Sequence, residues 1–302
     1  MGAFEELESI FRPRSIAVVG ASANRDSPGY DYVLSLVQYG YKGQIYPVNP
    51  RLEELLGWQA YPKLEAVPGP VEYVISCIPN TAVLSLVEEC GRKGVKALQL
   101  FTARFSETGR EEGRRLEGDI LARARQVGVR IIGPNCMGLH HPEEGITFRP
   151  DMIAPAGEIG FLSQSGNLLF ELNYQGRVRG LYFSKAISYG NGLDLDECDF
   201  LRYFARDPQT KVIGAYIEGV KDGRRFLSAL REAALAKPTV VLKGGRTQGG
   251  GRAASSHTAA LAGSYAVWEA AVRQAGAIPV RSTEELMDLL IAFVRLPPAR
   301  GG

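Results

Sequence analysis

Histidine is scarce in this 302-residue chain, with three copies, and cysteine nearly as scarce, with four. The cysteines (Cys77, Cys90, Cys136 and Cys198) lie far apart and form no CxxC pair. Their spacing argues against a metal site or a disulfide framework and suits reduced thiols in a cytoplasm. An excess of one charge is missing too. Thirty-five basic against 33 acidic residues leave +2, so no global field points to nucleic acid or to an anionic membrane. No apolar run approaches the ~20 residues that span a bilayer. The start, MGAFEELESIFRPRS, has no signal-peptide core, and MGAF lacks the later Ser/Thr of a myristoylation signal. These absences lead to the expectation of a soluble cytoplasmic protein with no nucleic-acid, membrane or metal partner.

What is present is a globular composition, 45% hydrophobic and 23% charged, long enough for two domains with a core each. Short apolar runs recur, and helical periodicity fills the gaps between them. The runs SIAVVGAS (15–22), GQIYPVNP (43–50), VEYVISCIP (71–79), VKALQLF (95–101) and VRIIGPN (129–135) read as five strands. Between them DYVLSLVQYG, TAVLSLVEECGRKG and REEGRRLEGDILARARQVG each close on a glycine suited to a helix C-terminus. The segment HHPEEGITFRPDMIAPAG (140–157) breaks this rhythm and reads as the crossing between domains, with His140 and His141 as loop residues. A second series follows, with strands at 157–166, 181–191, 211–220 and 238–245 and a short one at AIPV. The expected fold class is α/β, two parallel-sheet domains in tandem, 1–145 and 146–302.

In open parallel sheets, ligands bind beyond the carboxyl ends of the strands. The turn after the first strand, GASANRDSPG, could offer backbone N–H groups to a phosphate or be a tight turn without a ligand. It holds only Gly20 and Gly29, and G-x-G-x-x-G is absent. The acidic residue that an NAD site wants after the second strand is absent too, and Arg51 stands there in VNPR. An arginine suits a phosphorylated ribose, either the 2′-phosphate of NADP or the 3′-phosphate of coenzyme A.

In the second half, Ser163, Gln164, Ser165 and Gly166 form a strand-to-helix turn that could seat a phosphate or simply cap the helix. Glu218, in YIEGV, is either a surface glutamate or a carboxylate holding one imidazole nitrogen so that the other acts as nucleophile. The third histidine, His257, follows GGRTQGGGRAA (244–254), a basic tether with five glycines. It could be a structural residue near a helix start. A phosphate-carrying imidazole needs the same three things that occur here: a neutral ring nitrogen, an anion seat and a long tether.

Taken together, FRPRSIAVVGAS, GYKGQIYPVNP, GPNCMGL, GFLSQSGNL, YGNGLDLDECDFLRYFARDPQTKVIGAYIEG and KGGRTQGGGRAASSHTAALAGS resemble the α part of the NDP-forming acyl-CoA synthetases. That superfamily includes succinyl-CoA synthetase and ADP-forming acetyl-CoA synthetase, the second being the nearer in pattern. The resemblance runs in order from about residue 11 to about 292. It implies a Rossmann-like CoA-binding domain followed by a flavodoxin-like ligase domain. It also implies the reversible conversion of acyl-CoA, phosphate and NDP into acid, CoA and NTP. On that pattern phosphate attacks the thioester, the acyl phosphate phosphorylates His257, and Glu218 orients the imidazole. The turn from Ser163 to Gly166 would grip phosphate. Coenzyme A would meet Gly20, Ala21, Ser22 and Arg51 at one end, then Ile78, Pro79 and Asn80. Thr102, Ala103, Arg104 and Phe105 would follow, with Asn135 and Cys136 near the thioester.

The chain contains no ATP-grasp sequence, so the resemblance also implies a β partner that binds the Mg-nucleotide, in a heterodimer or heterotetramer. Three positions depart from the family pattern: Arg104 where the loop usually has glycine, Ala259 after SHT, and Phe170 where succinyl-CoA synthetases carry tyrosine. The length fits either a short α subunit or a fragment. The competing readings are a CoA-sensing regulatory module and, from the first domain alone, an NADP-dependent oxidoreductase.

Overall fold

The computed structural model describes residues 2–245 and 264–297. His257 and most of the glycine-rich tether lie outside the described residues. The first sheet has the order β2-β1-β5-β6-β7 and is parallel throughout. Its strands are β1 (Ser15–Val19), β2 (Gln44–Val48), β5 (Tyr73–Ser76), β6 (Ala97–Leu100) and β7 (Arg130–Ile132). A small hairpin, β3 (Glu54–Leu55) with β4 (Trp58–Gln59), interrupts the series and was not expected from the sequence. Its turn is Leu56-Gly57, both with positive φ, the geometry that lets a two-residue turn follow strand twist.

Helices α2 (Pro28–Gln38), α3 (Val83–Lys93) and α4 (Glu111–Val127) cover this sheet. In α3 the buried residues Val83, Leu86, Val87 and Cys90 fall at helical spacing. Gly94 then takes the left-handed conformation that stops the helix, and Gly128 does the same after α4.

The second sheet has the order β13-β12-β11-β9-β10-β8, with β8 spanning Gly138–His140. Its parallel strands are β9 (Ile159–Ser163), β10 (Phe183–Ser188), β11 (Val212–Ile217), β12 (Thr239–Lys243) and β13 (Ile278–Val280). Among the described residues, five helices belong to this half: α5 (Gly166–Arg179), α6 (Glu197–Arg206), α7 (Gly223–Ala236), α8 (Tyr265–Gln274) and α9 (Thr283–Arg295). Numbered along the chain, the five parallel strands follow the 2-1-3-4-5 order of flavodoxin-like sheets. None of the described helices is long and apolar enough to cross a membrane.

One finding corrects the reading of His140 and His141 in the crossing, and a second adds to it. Strand β8 (Gly138–His140), before the boundary expected at 145, pairs antiparallel with β10, His140 opposite Ala186. His140 and His141 are therefore not loop residues but fully buried. The His140 Nδ1 faces Thr147 Oγ1 at 3.1 Å, and the His141 Nδ1 donates to the Phe11 carbonyl at 3.0 Å. Burial pulls their pKa values down to about 3 and about 4. Helix α1 (Ala3–Phe11) likewise crosses over: the Phe11 ring stacks on Tyr203 of α6 at 4.6 Å between centroids. The two sheets thus share a hydrophobic core through the interface, and a second core lies on the other face of the first sheet.

Candidate active site

Both sheets reverse strand order beside their first parallel strand, β1 in one and β9 in the other, and crevices open at those points. Beyond β1 the chain turns at Gly20, whose φ is +90°. A Cβ there would lie 2.9 Å from the Cys77 carbonyl, and one on Gly29 only 2.1 Å from the Gly20 oxygen. The missing side chains let the start of α2 rest directly on the turn. The Asn49 amide donates to the Ala21 carbonyl at 2.6 Å and accepts the Arg51 N–H at 2.8 Å, linking the two strand ends. A cavity of about 400 Å³ lies outside, lined by Gly20, Arg51 and Ile78 and also by Lys63, which the sequence gave no reason to select. Two cations beside a side-chain-free turn suit a phosphorylated nucleotide. Ala21 is buried, so its backbone alone can contribute. The Ser22 hydroxyl accepts the Asn24 N–H at 3.1 Å.

A second cleft, of about 470 Å³, lies between the domains. Ala103, Asn135 and Cys136 line it from the first half; Gln164, Ser165, Gly166 and Glu218 line it from the second. The sequence reading missed its other walls, Phe101, Met137, Asn167, Gly190 and Asn191, which carry no motif chemistry of their own. Helix α5 points its N-terminus here. The Ser165 hydroxyl caps the Leu168 N–H at 3.2 Å, and the orphan N–H groups of the first turn belong to residues on the cleft wall. Gln164 uses its side-chain oxygen to accept the backbone N–H groups of Glu218 and Gly219, the second at 3.0 Å. It thereby fixes where strand β11 presents Glu218. Burial, and then the Glu218 carboxylate, push the neighbouring Tyr216 phenol up.

Several of the residues expected as ligand contacts have their side chains engaged inside the protein. Ser163 is fully buried, its hydroxyl donating to the Ser165 carbonyl at 2.7 Å, so it shapes the turn. Thr102 donates to the Ile78 carbonyl at 2.7 Å and ties β5 to β6. Phe105 is fully buried in the core on the other face of the first sheet and anchors its loop from beneath. The Cys136 thiol, 3% exposed, packs toward the Leu100 carbonyl at 3.4 Å, and burial raises its pKa. Arg104 and Asn135 are exposed with φ of +74° and +56°, and the arginine thus holds the glycine-type conformation its loop requires. Pro79 and Asn80 open a short turn at the edge of the same loop. The donor atoms of Asp196, Glu197 and Cys198 converge within 4.8 Å, but Asp196 caps α6 and pairs with Arg225, which accounts for the cluster.

Residues 14–142 match the family described as CoA binding domain, and residues 156–293 match the succinyl-CoA ligase like flavodoxin domain. Acetate–CoA ligase [ADP-forming] II subunit alpha of Pyrococcus furiosus is 40% identical over 292 residues, 97% of this chain and 64% of that protein. Acetate–CoA ligase [ADP-forming] I of Archaeoglobus fulgidus is 41% identical over 290 residues, 96% of this chain and 42% of that protein. Among solved structures, the dinucleotide forming acetyl-coenzyme A synthetase 1 of Ca. Korarchaeum cryptofilum, in complex with phosphate and ADP, superposes with a TM-score of 0.91. It is 39% identical and covers 98% of this chain and 64% of its own. The chain therefore spans less than two-thirds of the length of each.

Proposed function

The chain belongs to the NDP-forming acyl-CoA synthetases, as the part that joins a CoA binding domain to a succinyl-CoA ligase like flavodoxin domain, and on that premise we propose its activity. The reaction is acyl-CoA + Pi + ADP ⇌ acid + CoA + ATP, completed with an ATP-grasp β subunit or domain that holds the Mg-nucleotide. The observation that carries the reading is the interdomain cleft. It places the Ala103 and Asn135 side of the first domain against the α5 N-terminus and Glu218 of the second.

Coenzyme A lies with its phosphorylated ribose by Arg51 and Lys63 and its arm across the ends of β5 and β6, so that the thioester reaches Asn135. The first-turn N–H groups and dipole of α5 hold inorganic phosphate facing it. A phosphate oxygen attacks the thioester carbonyl, the C–S bond breaks, and the CoA thiolate departs. An imidazole nitrogen of His257 then attacks the phosphorus, and the carboxylate leaves as free acid. Glu218 accepts the hydrogen bond of the other ring nitrogen and stabilises the cation formed. The phosphoryl group passes from His257 to ADP on the partner.

Incubating the chain with its cognate β partner and labelled ATP tests this. Acid-labile, base-stable label on His257, lost in His257→Asn, is the expected result. An unlabelled chain bound to an active partner would overturn the reading.

A further inference from the structure

The loop between β6 and α4 folds around one carboxylate. Glu107 accepts the backbone N–H of Arg104 and, at 3.0 Å and 3.1 Å, that of Phe105. From the other side the Asn80 amide donates to the Arg104 carbonyl at 2.8 Å. Arg104 therefore keeps its left-handed backbone because both flanking peptides are held. A side chain in that region costs about 1 kcal/mol or more, and the conformation persists only when its surroundings over-determine it.

The carboxylate is also held from the second domain. The Asn191 Nδ2 donates to Glu107 Oε2 at 2.9 Å and to Glu117 Oε1, on α4, at 2.8 Å. Asn191 reaches this position because glycines flank it, Gly190 at φ +53° and Gly192 at +57°. A Cβ on Gly190 would lie 2.2 Å from the Pro134 carbonyl oxygen, and the Asn191 N–H donates to that oxygen at 3.0 Å. Two carboxylates share one amide, which fixes its orientation. The Asn191 Oδ1 is consequently enclosed with no partner among the described residues, although the side chain is only 4% exposed. Burying an unmatched acceptor is unfavourable, so the donor side of this amide must be what the site requires.

We propose that Asn191 is a positioning residue for coenzyme A recognition: it reaches across from the second domain, pins Glu107, and so sets the Ala103–Phe105 segment against the interdomain cleft. This rests on the reading that the first domain holds coenzyme A. The tie acts on the arm of the ligand, whereas the Arg51 cavity, which takes the nucleotide end, is built without it.

Calorimetric titration of the full chain with coenzyme A, 4′-phosphopantetheine and adenosine 3′,5′-bisphosphate tests the proposal. Asn191→Ala should weaken the first two ligands by about ten-fold and leave the bisphosphate unchanged. Glu107→Gln, which still accepts the loop N–H groups but turns a donor toward Asn191, should do the same. It serves as the second variant should Asn191→Ala fold poorly. Variants that bind all three ligands like the parent, or that lose all three equally, overturn the positioning role. A parent chain that binds none of them overturns the underlying reading of the first domain and this proposal with it.

Discussion

Acid should destabilise this protein through two buried histidines, and the size of the effect follows from their surroundings. Burial is the main cause that disfavours a cation at His141; Lys185 and Arg12 add to it, and the hydrogen bond to the Phe11 carbonyl and Glu144 offset it only in part. His140 lies between Phe148 and Phe183, next to His141. Their folded pKa values, about 4 and about 3, lie below the usual 6.5. As pH falls from 7 to 5, the unfolded chain takes up nearly one proton at each imidazole and the folded chain almost none. Linkage then costs about 2 kcal/mol per histidine over that interval, and the loss levels off only below the folded values. Glu197 works in the opposite direction. Burial raises its carboxyl to about 7, so the folded state binds its proton first and gains as pH falls. Comparing the parent with His141→Asn cancels that background. The asparagine amide can still donate to the Phe11 carbonyl but does not titrate. Urea unfolding at pH 7 and pH 5 should show a fall in stability about 2 kcal/mol smaller in the variant. Equal falls in the two proteins would refute the claim that His141 is neutral because it is buried.

Two further outcomes follow from packing. Gly29→Ala would drive a Cβ to 2.1 Å from the Gly20 carbonyl oxygen, so α2 must retreat from the turn. Coenzyme A affinity measured by calorimetry should fall at least ten-fold, and an unchanged affinity would show that the turn has no part in binding. Phe11→Ala removes a fully buried ring stacked on Tyr203 and should cost about 3–5 kcal/mol in chemical unfolding. A loss below about 1 kcal/mol would mean that α1 is not part of the second domain's core.

The alternation of strand and helix was legible in the sequence because it is local. Apolar runs bounded by glycine or proline specify buried strands, and Val83, Leu86, Val87 and Cys90 mark one helix face by spacing alone. Helix stops at Gly94 and Gly128 were legible for the same reason. Ser282 caps the last helix by accepting the Glu285 N–H. Gly20, Arg51, Ser165 and Glu218 were expected at strand ends, and there they line the two cavities. What could not be read locally is how a side chain at such a position is engaged. Ser163, Thr102 and Phe105 look like ligand contacts by position, yet a neighbouring turn, an adjacent strand and the core engage them. HHP reads as loop because nothing local announces that His140 will pair with Ala186.

By itself, then, the sequence determined the elements, their caps, the two-part α/β organisation and the family pattern, all of which rest on interactions within a few residues. Tertiary structure alone decided the rest: β8 crossing into the second sheet, α1 packing on the far domain, the neutral histidines, and Asn191 reaching Glu107 across the cleft. Each of these depends on which groups are desolvated together, and burial is a property of the assembled chain that no local window contains.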